Sequence, residues 1–490
     1  MYSGNTPKQS LYDRIRAELS EITSGRELLP FLARESVPLV IYFLAMNIVL
    51  TLNFHYIGQL GDPYMLAGVG LGNTWLTTTN YAIIVGLNIG TLTLCAQALG
   101  AKEYRIAGFT LHRAIVMRFL LLIPSYFLLY ISEGVFLSWG VDPRIAVYAS
   151  QYCKYQLLPL MCLIIFDCFK SLLLANGIFM PFLYIQICMA GVHWIFCSIL
   201  TPGLGIVGVC YAMIISYALS VILLVIYLKW KKPCKESFFK PSSESIQDII
   251  PQFKQEVPIG AMFYLDVMSF EASVIIAGQF PPDELGAQVV AWNIIGSSFL
   301  PIMGLMMTLT SALGNAMGEK DYVKAKRLRN AGILYTFIVV VIEAPLIHLF
   351  REPIVRIYTN SPEIVHAAKP IVSFFAFCVF GDFIQAINCA MLRAIGKEKI
   401  AFKIGIIANY GVGLPIGYIC GVILGLHDIG LWMGICTGLY LGFCFSVRVL
   451  FTTDMEEQVN VIQERLNEKR GIEERLIKEK DPAIEMITYE

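Results

Sequence analysis

Long apolar stretches separated by short polar breaks run through most of the chain. Twelve of these stretches reach about 20 residues, the length that an α-helix needs to cross the hydrocarbon of a bilayer. They lie at about 36–58, 66–97, 107–132, 146–172, 179–201, 205–231, 255–280, 285–316, 328–351, 363–393, 399–425 and 428–452. The pattern predicts an all-α integral membrane protein with twelve transmembrane helices.

The composition supports a membrane protein. Hydrophobic residues make up 56% of the chain and charged residues 15%, and the mean hydropathy is +0.64. A single soluble core does not hide that much apolar surface. The net charge is zero and gives no reason to expect a nucleic acid partner. The thirteen cysteines are scattered without a CxxC pair, so we expect neither a disulfide framework nor a metal site. We also expect no cofactor.

The two halves of the chain resemble each other at a spacing of about 220 residues. Pro38 corresponds to Pro258, and after a two-residue slip Gly100 corresponds to Gly318. The repeat is displaced by six predicted spans, and an even number of crossings gives both halves the same orientation. The sequence therefore predicts two pseudo-symmetric six-helix bundles, related by an axis along the membrane normal, which is a common plan for transporters.

Polar segments divide the chain around these bundles. Lysine and arginine gather in alternate connections, which places those connections and both termini in the cytosol. We expect a cytosolic N-terminal segment at 1–35, a first lobe at 36–231, a cytosolic linker at 232–254, a second lobe at 255–452 and a charged cytosolic tail at 453–490. For the tail we favour a solvated segment, with a helix that docks or binds a partner as the alternative.

Several motifs resemble the multidrug and toxin extrusion family of secondary transporters, in its eukaryotic-like branch. They are LCAQALGAKEY at 94–104, GNAMGEKDYVKAK at 314–326 and GDFIQAINCAMLRAIGKEK at 381–399. The resemblance implies a monomeric antiporter and not an enzyme. Its members export organic cations, xenobiotics or amphiphilic metabolites in exchange for protons, through alternating access of two lobes. The membrane implied is the plasma membrane or that of a vacuole or vesicle.

The resemblance also implies which acidic residues couple transport to an ion. Glu271 matches the family's glutamate in the seventh span, and Asp382 matches the aspartate in the tenth span. In the first span, where bacterial relatives usually carry an aspartate, this chain has Asn53. An ionisable side chain inside a span is costly and therefore suggests a function. A carboxyl group removed from water binds a proton readily and, when ionised, attracts a cation.

Aromatic, amide and methionine side chains are candidates for the walls of a cation-binding cavity, because the faces of aromatic rings attract organic cations. The candidates for substrate binding are Phe270, Trp292, Asn293, Gln385, Tyr410, Asn73 and Met268. Asp266 lies five residues before Glu271, about 140° away on a helix, so the two do not share a face. For Asp266 and Glu343 the sequence leaves the role open.

Some alternatives remain. Asp167 and Lys170 are three residues apart, and we favour a structural ion pair over a functional site. A sodium-coupled exporter of the same family and a lipid-linked saccharide flippase of the same superfamily are alternative functions. Few lysines or arginines lie in the middle of the spans, which disfavours a site for pyrophosphate. Motifs of metalloproteases, serine hydrolases and P-loop enzymes are absent from the sequence.

The charge distribution predicts the topology. A tag placed after Glu490 and a tag inserted near Ser243 should both face the cytosol, because basic connections stay on that side of the membrane. Protease protection in sealed vesicles measures the side of each tag. Tags on opposite sides of the membrane would contradict the twelve-span topology.

Overall fold

The computed structural model describes residues 25–241, 245, 247–359 and 361–480. Within these residues the regular structure is helical, and twelve helical stretches are long and apolar enough to cross a membrane. The predicted all-α membrane fold is confirmed. The helices of the first lobe are α1 Gly25–Gln59, α2 Pro63–Leu76, α3 Ala82–Gly100, α4 Tyr104–Tyr130, α5 Ser132–Ser138, α6 Pro143–Tyr155, α7 Leu157–Ala175, α8 Met180–Leu204 and α9 Ile206–Lys231.

The second lobe repeats this order with small differences. Its helices are α10 Ile249–Ala277, α11 Pro282–Ser298, α12 Leu300–Gly318, α13 Tyr322–Leu349, α14 Arg351–Tyr358, α15 Pro362–Ala394, α16 Glu398–Gly405, α17 Leu414–Tyr418 and α18 His427–Thr452. A further helix, α19 Met455–Lys480, follows the last span. The second and eighth spans each consist of two helices in series, α2 with α3 and α11 with α12.

The ends of several helices are set by residues that satisfy free backbone amides. Asp62 accepts hydrogen bonds from the amides of Tyr64 and Met65, and Pro63 occupies the first position of α2, where no amide hydrogen is needed. Gly205 alone separates α8 from α9 and has φ +57°, a conformation that glycine adopts without a steric penalty. Such short connections leave little backbone unpaired near the hydrocarbon.

The structure interrupts two spans that the sequence predicts as continuous. The predicted span at 146–172 breaks at Gln156, between α6 and α7. The eleventh span contains π-helical turns at Ile406–Gly413 and Ile419–Ile423. The amide of Leu414 bonds to the carbonyl of Asn409, five residues earlier. Pro415 follows directly and lacks an amide hydrogen, so a regular i to i−4 ladder does not continue through it.

The main contacts between the lobes lie on one side of the molecule. We call this side the basic face: it carries the connections 101–103 and 319–321, the linker after α9, and α19. There α3 packs against α10 and α12, and α1 packs against α12. On the opposite side α2 packs against α6 and α11 packs against α15, each within its own lobe. The lobes are therefore joined at the basic face.

Glycines allow the backbones of the two lobes to approach closely at the basic face. A Cβ atom added to Gly100 would lie 2.1 Å from the carbonyl oxygen of Asn315, and one added to Gly318 would lie 2.1 Å from that of Gln97. These glycines are the corresponding pair of the repeat. Side chains also cross the interface: the Gln97 amide donates to the Ala394 carbonyl at 2.9 Å, and Ser311 donates to the Leu174 carbonyl at 2.7 Å.

Helix α19 covers part of the basic face. Its apolar residues Met455, Val459, Ile462 and Leu466 are buried and recur at helical spacing. Polar side chains attach it to both lobes, listed here with their partners: Gln463 with the Gly318 carbonyl, Arg465 with Glu398, Lys469 with Gln255, and Arg470 with Glu103. The segment predicted as a solvated tail thus contains a docked helix, the alternative that the sequence left open.

The docking of α19 depends on the charge of Lys469. Desolvation lowers the pKa of this lysine to about 8, and the positive charges of Arg465 and Arg113 act in the same direction. The undocked lysine, with an ordinary pKa of about 10.4, binds more protons than the docked one between these two values. Docking therefore becomes more favourable as the pH rises above about 8. At neutral pH Lys469 is charged, and docking includes the full free-energy cost of desolvating that charge.

Because the backbones of the two lobes approach closely at Gly318, we expect a single added methyl group to change the conformation of the protein. Gly318→Ala should open the basic face, because the new Cβ meets backbone atoms that cannot turn aside as a side chain does. A cysteine introduced at the buried position Ser311 should then react with a small thiol reagent roughly tenfold faster or more.

Gly191 provides the matched control, because a Cβ added there meets nothing within 4 Å. Gly191→Ala should leave the labelling rate at Ser311→Cys unchanged. An unchanged rate in Gly318→Ala would show that the lobes do not need this contact to close.

Candidate functional site

The second lobe contains an internal cavity of about 200 Å³. Helices α10, α11, α12, α15 and α18 and the π-helical turn at 406–413 surround it. Its walls are mainly apolar, with Met262, Phe263, Phe270, Trp292, Phe299, Met303 and Met306 among the lining residues. Such a cavity with a few converging polar groups is typical of a small-molecule binding site.

Stacked aromatic rings form one wall of the cavity. The ring centroids of Phe270 and Trp292 are 5.0 Å apart with an interplanar angle of 20°. Behind them lies the fully buried Trp432, whose ring centroid is 6.4 Å from that of Phe270. The Trp432 indole donates a hydrogen bond of 2.7 Å to Gln288. Gln288 in turn donates to Ser273 at 3.1 Å. The polar contacts of Trp432 fix its ring, so Phe270 and Trp292 present a rigid wall.

Two carboxylates reach the cavity from different helices. Asp266 on α10 and Asp382 on α15 both line it and lie within electrostatic range of each other. The Asn409 amide donates to Asp266 at 2.9 Å. Within the part of the chain that the structure describes, neither carboxylate forms a salt bridge. A pair of carboxyl groups that forms no salt bridge can bind protons or a positively charged ligand.

Arg393 lies at the end of the cavity nearest the other lobe. Its side chain is buried and Nη1 approaches the Met262 sulfur at 3.5 Å. The guanidinium lies within electrostatic range of Asp266 but does not pair with it. Nε and Nη2 have no hydrogen-bond partner among the described residues. The cavity therefore has a positive group at one end and two acidic groups along its walls.

Glu271 occupies a different face of α10 from Asp266, as the helical spacing predicts. It is half-buried and is not among the residues that line the cavity. Its carboxylate interacts with the side chain of Trp292, which does line the cavity. Trp292 therefore connects Glu271 to the site.

The structure brings together four of the predicted site residues, Asp382, Gln385, Phe270 and Trp292, which line the cavity. Asp266, whose role the sequence left open, lines it as well. The remaining candidates lie elsewhere: Asn293 is exposed and donates to the Val289 carbonyl, Tyr410 donates to the Leu265 carbonyl, Met268 is half-buried on α10, and Asn73 is half-buried in the first lobe. Glu343, on α13, does not line the cavity either.

Sequence reasoning missed several lining residues, Met262, Cys389 and Arg393 among them, that share helix faces with Asp266, Phe270 and Asp382. Met262, Asp266 and Phe270 follow one another at intervals of four residues, which places them on one face of α10. On α15, Cys389 and Arg393 continue the face of Asp382 at intervals of seven and four residues. These spacings were the available signal. Asn409 had no comparable signal, because it lies in the π-helical turn.

Two buried polar clusters inside the first lobe pair their charged or polar side chains with one another. The predicted ion pair is present: Lys170 Nζ lies 2.6 Å from Asp167 Oδ1 and 3.1 Å from the Tyr42 hydroxyl. Asn53 bonds to His193 Nε2 at 2.8 Å in a buried contact. These two clusters hold no carboxylate without a cationic partner. Groups of three or more His, Cys, Asp or Glu suited to a metal ion are absent from the described residues.

Comparisons with known proteins agree with this architecture. The chain is 25% identical to Protein DETOXIFICATION 16 of Arabidopsis thaliana over 90% of the chain and 91% of the relative, and 27% identical to Protein DETOXIFICATION 18 over 85% and 89%. It is 25% identical to Multidrug and toxin extrusion protein 1 of Danio rerio, covering 82% of the chain and 68% of the relative.

The fold also matches solved structures. The structure of the eukaryotic MATE transporter AtDTX14 superimposes with a TM-score of 0.85 at 20% identity, covering 93% of this chain and 99% of that one. The MatE family model matches twice, at residues 38–199 and 258–419, once in each lobe. These two matches together span more than half of the sequence. The chain therefore belongs to the MatE family of membrane transporters.

Proposed function

We propose that the chain is a proton-coupled antiporter that exports organic cations, xenobiotics or amphiphilic metabolites. The observation that carries this proposal is the cavity in the second lobe, which is lined by a stacked aromatic pair and by two carboxylates that form no salt bridge among the described residues. Aromatic faces and carboxylates together favour a ligand that is both apolar and positively charged. The names of the relatives refer to detoxification and to multidrug and toxin extrusion.

Exchange follows from the charge of the carboxyl groups. When Asp266 and Asp382 are ionised, they attract a cationic substrate, and when they bind protons this attraction is lost. Proton and substrate then compete for one set of groups, which is the requirement for antiport. Glu271, in contact with Trp292 beside the aromatic wall, carries the exchanged proton, and Asp382 shares or tunes this role.

Alternating access gives the exchange a direction. The excess of basic residues favours the cytosolic side for the basic face. Because the lobes are joined at that face, we take this state to be the one that faces away from the cytosol, ready to release substrate or take up protons. Transport requires a second state in which the basic face is open.

The flippase alternative fits the cavity less well. A lipid-linked pyrophosphate needs several cations, whereas Arg393 is the one lysine or arginine among the lining residues and two carboxylates accompany it. Sodium coupling within the same family remains an outcome of the transport test below.

Removing the coupling carboxylates should abolish exchange. Glu271→Gln and Asp382→Asn mimic permanently protonated forms and should each reduce gradient-driven transport of an organic cation at least about tenfold, because a neutral group can no longer release its proton. The measurement is uptake into proteoliposomes under an imposed pH gradient, with an imposed sodium gradient as a second arm.

Glu343→Gln is the matched control, because Glu343 is half-buried in a span but does not line the cavity. It should transport like the unchanged protein. Full activity in Glu271→Gln and Asp382→Asn would place coupling at other residues, and transport driven by sodium alone would replace the proton as the coupling ion.

The aromatic wall should contribute directly to substrate affinity. Trp292→Ala should weaken the binding of an aromatic cation about 2- to 30-fold, since contacts of cations with aromatic faces contribute about 0.5–2 kcal/mol. Trp194, which is 58% exposed on the outside of the first lobe, supplies the control Trp194→Ala with unchanged affinity. Scintillation proximity binding gives both Kd values, and equal values would remove the wall from the binding site.

A further inference from the structure

A buried ion pair joins the two lobes near the basic face. Arg118, on α4 of the first lobe, lies with its Nη2 3.3 Å from Oε2 of Glu256, on α10 of the second lobe. The two side chains are 1% and 0% exposed. Neither residue lines the cavity. Burying a charged pair this completely is costly. Because the pair lies outside the cavity, substrate binding does not explain it.

Polar neighbours complete a network across the lobe interface. Arg118 Nη2 donates to the Thr91 hydroxyl at 2.7 Å, and this hydroxyl donates to Glu256 Oε1 at 3.0 Å. The Gln252 amide, from the second lobe, donates to Glu256 Oε1 and to the Thr110 carbonyl, both at 2.9 Å. Three of these contacts, counting the ion pair, connect one lobe to the other. Water gains access to them only if the lobes separate.

Packing of the lobes does not by itself require these charges. In the repeat, Glu256 corresponds to Ser36 and Arg118 corresponds to Thr336. The symmetric contact is still made, because a Cβ added to Gly304 would lie 2.7 Å from Val40. There Ser36 and Thr336 hydrogen-bond to carbonyls of their own helices. The charged network is therefore present on one side of the pseudo-twofold axis and absent from the equivalent position.

We propose that Arg118 and Glu256 form an ionic gate that holds the basic face closed and sets how often it opens. The proposal rests on alternating access, as put forward under the proposed function. To open the face, α3 and α4 must move away from α10, and each charge must exchange its partner for water. The strength of the pair relative to hydration therefore determines the balance between the closed and open states.

Single and double substitutions have opposite expected effects. Glu256→Gln or Arg118→Met leaves one charge buried and unpaired in the closed state, and opening gives that charge access to water. Each single change should therefore raise the ratio of open to closed molecules at least about tenfold. The double change Arg118→Met with Glu256→Met removes both charges and fills the space with apolar side chains. It should keep the face closed and slow transport.

The experiment measures the separation of the lobes directly. Spin labels are placed on cysteines introduced at Arg105 and Val323, which are exposed in the first turns of α4 and α13 on opposite lobes. Reactive native cysteines are replaced beforehand. Distance distributions in lipid nanodiscs, without substrate or gradient, should shift to longer values in the single variants and remain short in the double variant.

The ion pair of Asp167 and Lys170 provides the control, because it is also buried but lies within the first lobe. Lys170→Met should lower the thermal stability without lengthening the distance between labels. Unchanged distances in both single variants, or equal lengthening in Lys170→Met, would overturn the gate. Should the single variants fail to fold, the double variant decides, and an opened basic face in it would also overturn the proposal.

Binding of an aromatic cation in the same samples separates this proposal from the proposed function. The gate variants leave the cavity intact, so they should still bind the cation in a saturable manner. If the unchanged protein does not bind the cation, the proposed function fails. The label distances still report on the gate in that case.

Discussion

The cost of keeping a charged side chain away from water shapes the interior of both lobes. Three arrangements of buried charged residues meet this cost in different ways. Asp167 and Lys170 neutralise each other inside the first lobe, and Arg118 and Glu256 do so between the lobes. Asp266 and Asp382 have no such partner and face a cavity. A pair within one lobe survives any movement of the lobes, a pair between lobes does not, and unpaired groups need a proton or a ligand.

The repeat explains the framework, and departures from it explain the chemistry. Gly100 and Gly318 are equivalent and bring the two backbones together in the same way. Glu271, in contrast, corresponds to Thr51, and Glu256 to Ser36. The second lobe thus carries acidic groups on α10 for which the first lobe has hydroxyl groups on α1. The framework of the two lobes is therefore similar, while the proposed binding site and the α10 charge of the proposed gate belong to the second lobe.

The sequence predicted the spans and the repeat well because both depend on local apolar length and on identical residues at fixed spacing. Asp382 and Trp292 were also found. The choice of Trp292 over its neighbour Asn293 was not predictable, since adjacent residues differ by about 100° and only packing decides which one faces inward. The sequence favoured a solvated tail over a docked helix, because the mixed charges of α19 obscure the buried apolar series from Met455 to Leu466.

Helix α10 connects the proposed gate to the proposed binding site. Glu256, Asp266 and Glu271 all belong to it, and ten residues of helix separate the gate from Asp266 by about 15 Å. Pro258 lies between them and removes one backbone hydrogen bond, so the helix can bend at this position. A change in the charge of Asp266 or Glu271 that alters the packing of α10 therefore acts on the same helix that carries Glu256. Mechanical continuity along α10 offers a direct route from proton or substrate binding to the closure of the basic face.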